Sequence, residues 1–478
     1  MDQRIDPRID RDAQLAARRW FGLAVGSLIV AGLLSLLLVV ARMPPFSAWI
    51  RDPLFFKRSL VVHVDLALVV WFYAFILCLL HTLPSRRSLS PLARYAPAAG
   101  FVGMLVIVAA AGASGAQPIL SNYIPMIDHP LFLGGLLLFG QAVLAGVLQG
   151  RLLPAFEVPV GFFPLPDAAR PGLRAAALAL LVAALTFVAS GLTTPRLLPA
   201  QSYYEFVVWG GGHVLQFASV AGMLSVWIIL LTPLLGASPV SRRTATLLFG
   251  LLTLPLLVAP LWGLEGANTV AVHTRFTRLM EFGIFPVVTI FVVLCVAAIW
   301  RARREGRLRT AEVGSGPLVG FFVSAGLTVL GFALGAIISG SNTLIPAHYH
   351  ASIGAVTAAF MTVTYRLLGH LGMPLEGRRV QRLATWQPLL FGVGQFVFAC
   401  GFALAGAQGM LRKTYGSEQQ IRGALDYLGL AVMGVGGLVA VVGGLLFLGL
   451  VTLAWRRRAT AARAPLFAHR LQGDTHGK

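Results

Sequence analysis

The run Ile345-Pro346-Ala347-His348-Tyr349-His350-Ala351-Ser352-Ile353-Gly354 opens a long apolar segment, and its two histidines are the most informative residues of the chain. On an α-helix each residue advances about 100°, so residues i and i+2 point about 200° apart. The imidazoles of His348 and His350 therefore leave opposite sides of one helix and do not readily share one metal ion. Each can serve a separate cofactor on its own flank. Imidazole is a common axial ligand of haem iron, so the pair suggests two haems flanking one membrane helix.

The rest of the chain supplies the membrane. Of its 478 residues 57% are hydrophobic and 12% charged, with a mean hydropathy of +0.79. A soluble domain carries about 25% charged residues. The apolar residues fall in runs long enough to cross a hydrocarbon core of about 30 Å. Twelve such runs are expected, near 20–42, 58–82, 95–114, 131–150, 173–192, 205–233, 244–264, 277–300, 316–339, 346–368, 386–408 and 424–455. The fold class is all-α, a polytopic bundle of twelve transmembrane helices. No linker divides it, so residues 1–478 read as one membrane domain, with a helical core over 20–455 and tails at 1–19 and 456–478. The first run follows a charged arm without a small-residue cleavage site and reads as a retained helix.

The formal net charge of +20 does not indicate nucleic acid, because its distribution follows topology. With the N-terminus inside, 28 of the 38 Lys and Arg residues fall in the inner segments and 10 in the outer ones. This is the positive-inside pattern, and it puts both termini in the cytoplasm of a bacterial-type inner membrane. Arg301-Ala302-Arg303-Arg304 and Arg456-Arg457-Arg458 are the clearest inner clusters and can also meet anionic headgroups of the bilayer. Cys78, Cys295 and Cys400 lie singly in three spans, as small apolar residues do. There is no C-x-x-C-H for covalent haem, no cysteine pair for electron entry and no Walker sequence.

Four of the ten histidines lie inside spans, where an ionisable side chain is expensive and a functional candidate. They are His63, His213, His348 and His350. The second, sixth and tenth spans, which carry them, all run inward, and each histidine lies in the first few turns. All four imidazoles are thus expected in the outer half of the membrane. His469 and His476 are in the tail, His129 and His273 are at outer loops, and His81 and His370 are at inner helix ends.

These residues resemble subunit I of the haem–copper oxidase superfamily, which includes oxygen reductases and bacterial nitric oxide reductases. The resemblance covers the twelve-span core. It implies that His348 binds the high-spin haem and His350 the low-spin haem, with His63, in Leu60-Val61-Val62-His63-Val64-Asp65, as the second low-spin ligand. Trp209-Gly210-Gly211-Gly212-His213 is similar to the family's W-x-x-x-H, whose histidine binds a second metal, copper or iron. Gly409-Met410-Leu411-Arg412-Lys413 resembles the family's G-M-P-R-R, which implies that Arg412 and Lys413 hold haem propionates.

The pattern also breaks. The family's two adjacent histidines on the seventh span would fall near Ala259-Pro260, and the stretch from Leu252 to Glu265 contains no histidine. Four residues after His213, where many oxygen reductases carry tyrosine, this chain has Phe217. A lone imidazole is a poor site for a metal that recruits three or more ligands. Glu281, in Leu279-Met280-Glu281-Phe282-Gly283, is similar to the nitric oxide reductase glutamate and is a catalytic candidate; pairing with Arg278 is the structural alternative.

The resemblance implies a membrane respiratory subunit that passes electrons from a low-spin haem to a high-spin haem, where a small diatomic ligand is reduced. Oxygen is the ligand first implied. Two alternatives stand beside it: a nitric-oxide-reductase-like enzyme, and a non-catalytic haem subunit that carries electrons or senses a ligand without copper. Twelve spans alone would also suit a transporter. The implied electron donor is a cytochrome c or a copper-bearing subunit, and no nucleic acid is expected.

Overall fold

The structure is a computed structural model that describes residues 6–40, 53–308, 314–412 and 423–473. Among these, twelve helical stretches are long and apolar enough to cross a membrane: Pro7–Leu37, Leu54–His81, Pro91–Ala110, Pro130–Val147, Asp167–Thr193, Ala200–Leu235, Arg242–Leu264, Val270–Arg304, Gly316–Ala336, Leu344–His370, Arg378–Ala407 and Ala424–Arg458. The protein is an all-α, multi-pass membrane bundle, since a helix satisfies its own backbone hydrogen bonds in lipid. The second, sixth and tenth spans are the most buried, at 72%, 89% and 78% of their apolar windows. They are the three that carry the histidine candidates.

The chain groups into two compact units, the first eight spans up to Leu308 and the last four spans. In the first unit the charged arm is helical. The first helix begins at Pro7, Asp10 accepts from the Phe162 backbone N–H at 2.9 Å, and Asp12 pairs with Arg94 at 2.8 Å. These partners, distant in sequence, hold the charged arm. Two spans depart from α-geometry. The second passes through a π-helical turn, Leu66–Val70, just after Asp65. The seventh is broken by a 3-10 stretch, Leu254–Val258, with Pro255 at its start and Pro260 at the start of the helix that follows, each of which lacks an N–H. A two-stranded antiparallel hairpin, β1 (Gln117–Ile119) and β2 (Met126–Asp128), lies between the third and fourth spans. On the other side of the unit, Glu157 accepts from Arg170 and Arg174, each at 2.5 Å, and lies 3.5 Å from Arg242.

In the second unit the last two spans approach backbone to backbone. Gly394 and Gly401 on one, and Gly429, Gly436 and Gly443 on the other, leave no room for a Cβ against the facing main chain. Their seven-residue spacing keeps the small positions on one seam, as in tightly packed membrane helices. Gln387, buried beside this seam, donates to the Gly443 carbonyl at 3.1 Å and accepts from the Tyr365 hydroxyl at 2.9 Å.

Candidate functional site

The four candidate histidines divide by what their ring nitrogens touch. A backbone carbonyl only accepts, so a nitrogen bonded to one must carry the proton. His63 donates from Nδ1 to the Ala31 carbonyl of the first span at 2.8 Å. His348 donates from Nδ1 to the Gly331 carbonyl of the ninth span at 2.7 Å. In both, the neutral ring keeps its lone pair on Nε2, and the anchor is on a neighbouring helix. This is the outer-shell support that orients a metal-bound imidazole. Both residues are half-buried. His350 is also partly exposed, with its ring against Phe398 and Phe402 at centroid distances of 4.8 and 5.7 Å. Gly335 leaves space for the His348 ring: a Cβ there would meet Nδ1 at 2.8 Å.

His213 is different. Its Nδ1 donates within its own helix to the Trp209 carbonyl at 2.7 Å. Its Nε2 is already taken, lying 2.8 Å from the Tyr123 hydroxyl. The ring is 1% exposed. Aromatic rings surround it: Tyr123 at 4.3 Å, Trp209 at 4.8 Å and Phe276 at 5.9 Å between centroids. Trp209 stacks on His273 at 4.5 Å, and His273 is anchored through Nε2 to the Ala267 carbonyl at 3.1 Å.

The three glycines before His213 explain this crowding. A Cβ on Gly210 would meet the Phe276 ring, one on Gly211 the Phe187 ring, and one on Gly212 the Tyr123 side chain. Each missing side chain seats an aromatic one. Tyr123 arrives from the hairpin loop with φ at +65°, a conformation disfavoured for a residue with a Cβ. Its neighbours hold it there. The Asn122 backbone N–H and side-chain amide both donate to Glu205, at 2.9 and 2.5 Å, and Ser121 donates to the Ile124 carbonyl at 2.6 Å. Burial pushes the Tyr123 phenol up, and the charge of Glu205 adds to this, so the phenol keeps its proton as a donor at neutral pH.

The residues therefore fit the two groups that the resemblance implies unequally. His63 and His348 are each anchored through Nδ1, which leaves Nε2 as the lone-pair nitrogen that a haem ligand needs, and His350 lies half-buried between Phe398 and Phe402. At His213 a second metal does not fit. The lone pair is occupied, Ala259 and Pro260 bring no donor, and no group of three His, Cys, Asp or Glu that could hold a metal occurs among the described residues. Glu281 is exposed, and among the described residues it pairs with neither His213 nor Arg278. Met280 beside it approaches the Tyr123 hydroxyl with its sulfur at 3.7 Å. Glu265 pairs with Arg275.

In the second unit the Gly409–Arg412 loop is pinned to the start of the tenth span. Thr343 donates its N–H to the Met410 carbonyl at 3.0 Å, and Asn342 bridges Leu411. Arg412 thus lies at the same helix end as His348, bonded through Nε to Ser341 at 3.1 Å. Lys413 lies outside the described residues. His81 and His129 serve helix ends, the first bonding the Leu77 carbonyl and the second capping the fourth span. Sequence reasoning missed Tyr123; the one signal for it was the triple glycine before His213.

No family model matches the chain. An uncharacterized protein of Aquifex aeolicus (strain VF5) is 29% identical over 74% of this chain and 84% of its own. An uncharacterized protein of Rickettsia prowazekii (strain Madrid E) is 23% identical over 90% of this chain and 94% of its own. Among solved structures, a heme-copper terminal oxidase dimer matches with a TM-score of 0.64 and 17% identity, covering 96% of this chain and 84% of that one. The chain is thus a twelve-helix membrane protein whose fold resembles that of a heme-copper oxidase.

Proposed function

We propose that the protein is a di-haem electron-transfer subunit of a respiratory membrane complex, with a small diatomic ligand as the terminal electron acceptor. His63 and His350 would each serve as a ligand of low-spin haem iron, and His348 would hold a second, high-spin haem. Bound there, haem supplies reversible one-electron chemistry and, at His348, an iron face open to a ligand. The chain's own part is to fix each imidazole: Ala31 and Gly331 accept the Nδ1 protons of His63 and His348 and leave Nε2 free. That observation carries the reading. Arg412 and Lys413 would compensate haem propionates. Oxygen is the acceptor that the resemblance of the histidine motifs first implies, and a cytochrome c or copper-bearing subunit would supply electrons. The occupied His213 favours a second reading, in which the subunit carries electrons or senses a ligand without turnover.

The test is the reduced-minus-oxidised spectrum of the purified protein, native and with His63→Ala or His350→Ala. Each variant is expected to lose the low-spin signal and keep a high-spin one. A normal low-spin spectrum in both would refute the assignment. Turnover assays with oxygen and nitric oxide then separate the two readings.

A further inference from the structure

The position that the fold likeness would give to a second metal is built in this chain for something else. We propose that Tyr123 takes the place of that metal, so that the site is a closed phenol–imidazole pair, with the Tyr123 O–H donating to His213 Nε2. Four independent observations support this. The tautomer is forced: the Trp209 carbonyl claims the proton on Nδ1 and leaves Nε2 as an acceptor, 2.8 Å from the hydroxyl. The space is reserved: Gly212 is the residue whose Cβ would fall 2.5 Å from the Tyr123 Cβ. The backbone is committed: φ of +65° at Tyr123 is a strained conformation that persists only where the surroundings over-determine it, and the two hydrogen bonds from Asn122 to Glu205 do so. The walls are apolar: Trp209, Phe276 and the Tyr123 ring enclose an imidazole that is 1% exposed, so water does not compete for Nε2.

A metal ion entering this box would have to break the hydroxyl bond, and it would gain one imidazole in return. Two or three further ligands are needed to offset desolvation of the ion, and the seventh span brings Ala259 and Pro260 instead. Tyr123 is thus a positioning residue that occupies Nε2 and holds the tilt of a ring whose tautomer the Trp209 carbonyl sets. The inference concerns the first unit by itself and does not depend on haem at His63, His348 or His350, so it can fail or hold separately from the reading above.

The experiment uses the full-length protein in detergent with its histidines labelled with ¹⁵N. His213→Ala assigns the His213 ring nitrogens by their loss. In the native protein Nε2 is expected to show the shift of an unprotonated, hydrogen-bonded nitrogen. Tyr123→Phe, which keeps the ring and deletes one oxygen, should move that signal toward the value of a free lone pair. Gly212→Ala should produce the same displacement by evicting Tyr123. Gly134→Ala, where a Cβ meets nothing within 4 Å, is the folding control and should leave the signal in place. In parallel the protein is incubated with copper and desalted, and copper per chain is compared in native protein and His213→Ala; no difference is expected. Stoichiometric copper that is lost in His213→Ala would overturn the proposal, and so would an Nε2 signal indifferent to Tyr123→Phe.

Discussion

Gly335→Ala should release the second haem without touching a ligand. A Cβ at this position would sit 2.8 Å from His348 Nδ1 and 2.9 Å from Cε1. Ordinary contact between such atoms begins near 3.5 Å, so the ring must give by about 0.7 Å. Overpacking of this kind costs about 1–3 kcal/mol. The ring cannot retreat freely, because its Nδ1 proton is held by the Gly331 carbonyl at 2.7 Å. Moving it breaks that bond and turns Nε2 away from its set direction. Loss of an outer-shell partner lowers affinity for a bound metal by about 10–100-fold, which is about 1.4–2.7 kcal/mol. The assay is haem occupancy per chain at limiting haem supply, read from the high-spin and low-spin signals separately. Gly335→Ala should lose most of the high-spin signal and retain the low-spin one. Gly326→Ala on the same span, where a Cβ meets nothing within 4 Å, should match the native protein. Equal high-spin occupancy in native protein and Gly335→Ala would refute the reasoning.

Other expectations follow from the same geometry. If Arg412 and Lys413 hold haem propionates as proposed, neutralising both would remove charge-assisted bonds of about 1.5–3 kcal/mol each, and should shift the haem potentials or lower occupancy; unchanged values in a redox titration would count against that role. Glu157→Ala should destabilise the first unit by about 1–3 kcal/mol in a detergent unfolding assay, because the buried Arg170 guanidinium loses one carboxylate partner and keeps Asp167 and the Pro159 carbonyl. Burial alone would raise the Glu157 carboxyl, but the Arg170 and Arg174 guanidiniums hold it below the usual carboxylate range. A depressed carboxyl contributes stability above its unfolded value, and that stability is lost as pH falls through the folded one. Native protein should therefore lose stability on acidification below about pH 4.5 more steeply than Glu157→Gln; parallel curves would exclude the linkage.

The membrane fold was legible because it rests on one strong signal. Apolar runs of membrane length indicated twelve spans, and twelve helical stretches long and apolar enough to cross a membrane occur among the described residues. Their ends were less visible. The N-terminal arm reads as a tail by charge, yet Asp10 and Asp12 bind the Phe162 backbone and Arg94, partners far off in sequence. The break in the seventh span follows from Pro255 and Pro260, which a hydropathy window averages away. The π-turn after Asp65 has no sequence marker. At the site, spacing placed His348 and His350 on one helix, and their ring partners fall in the second unit, as their span requires. The state of His213 was not legible. It depends on Tyr123, ninety residues earlier in a loop without periodicity, and on a backbone angle that sequence does not favour for tyrosine. The three glycines before His213 announced that something large packs there without naming it.

The central claim is that this chain holds two haems through His63, His348 and His350 and no second metal at His213. Haem and non-haem metal quantified per chain in the purified native protein test it most directly. The account predicts two haems per chain and no stoichiometric copper or non-haem iron. A haem-free protein, or one with copper in a one-to-one ratio, would contradict it.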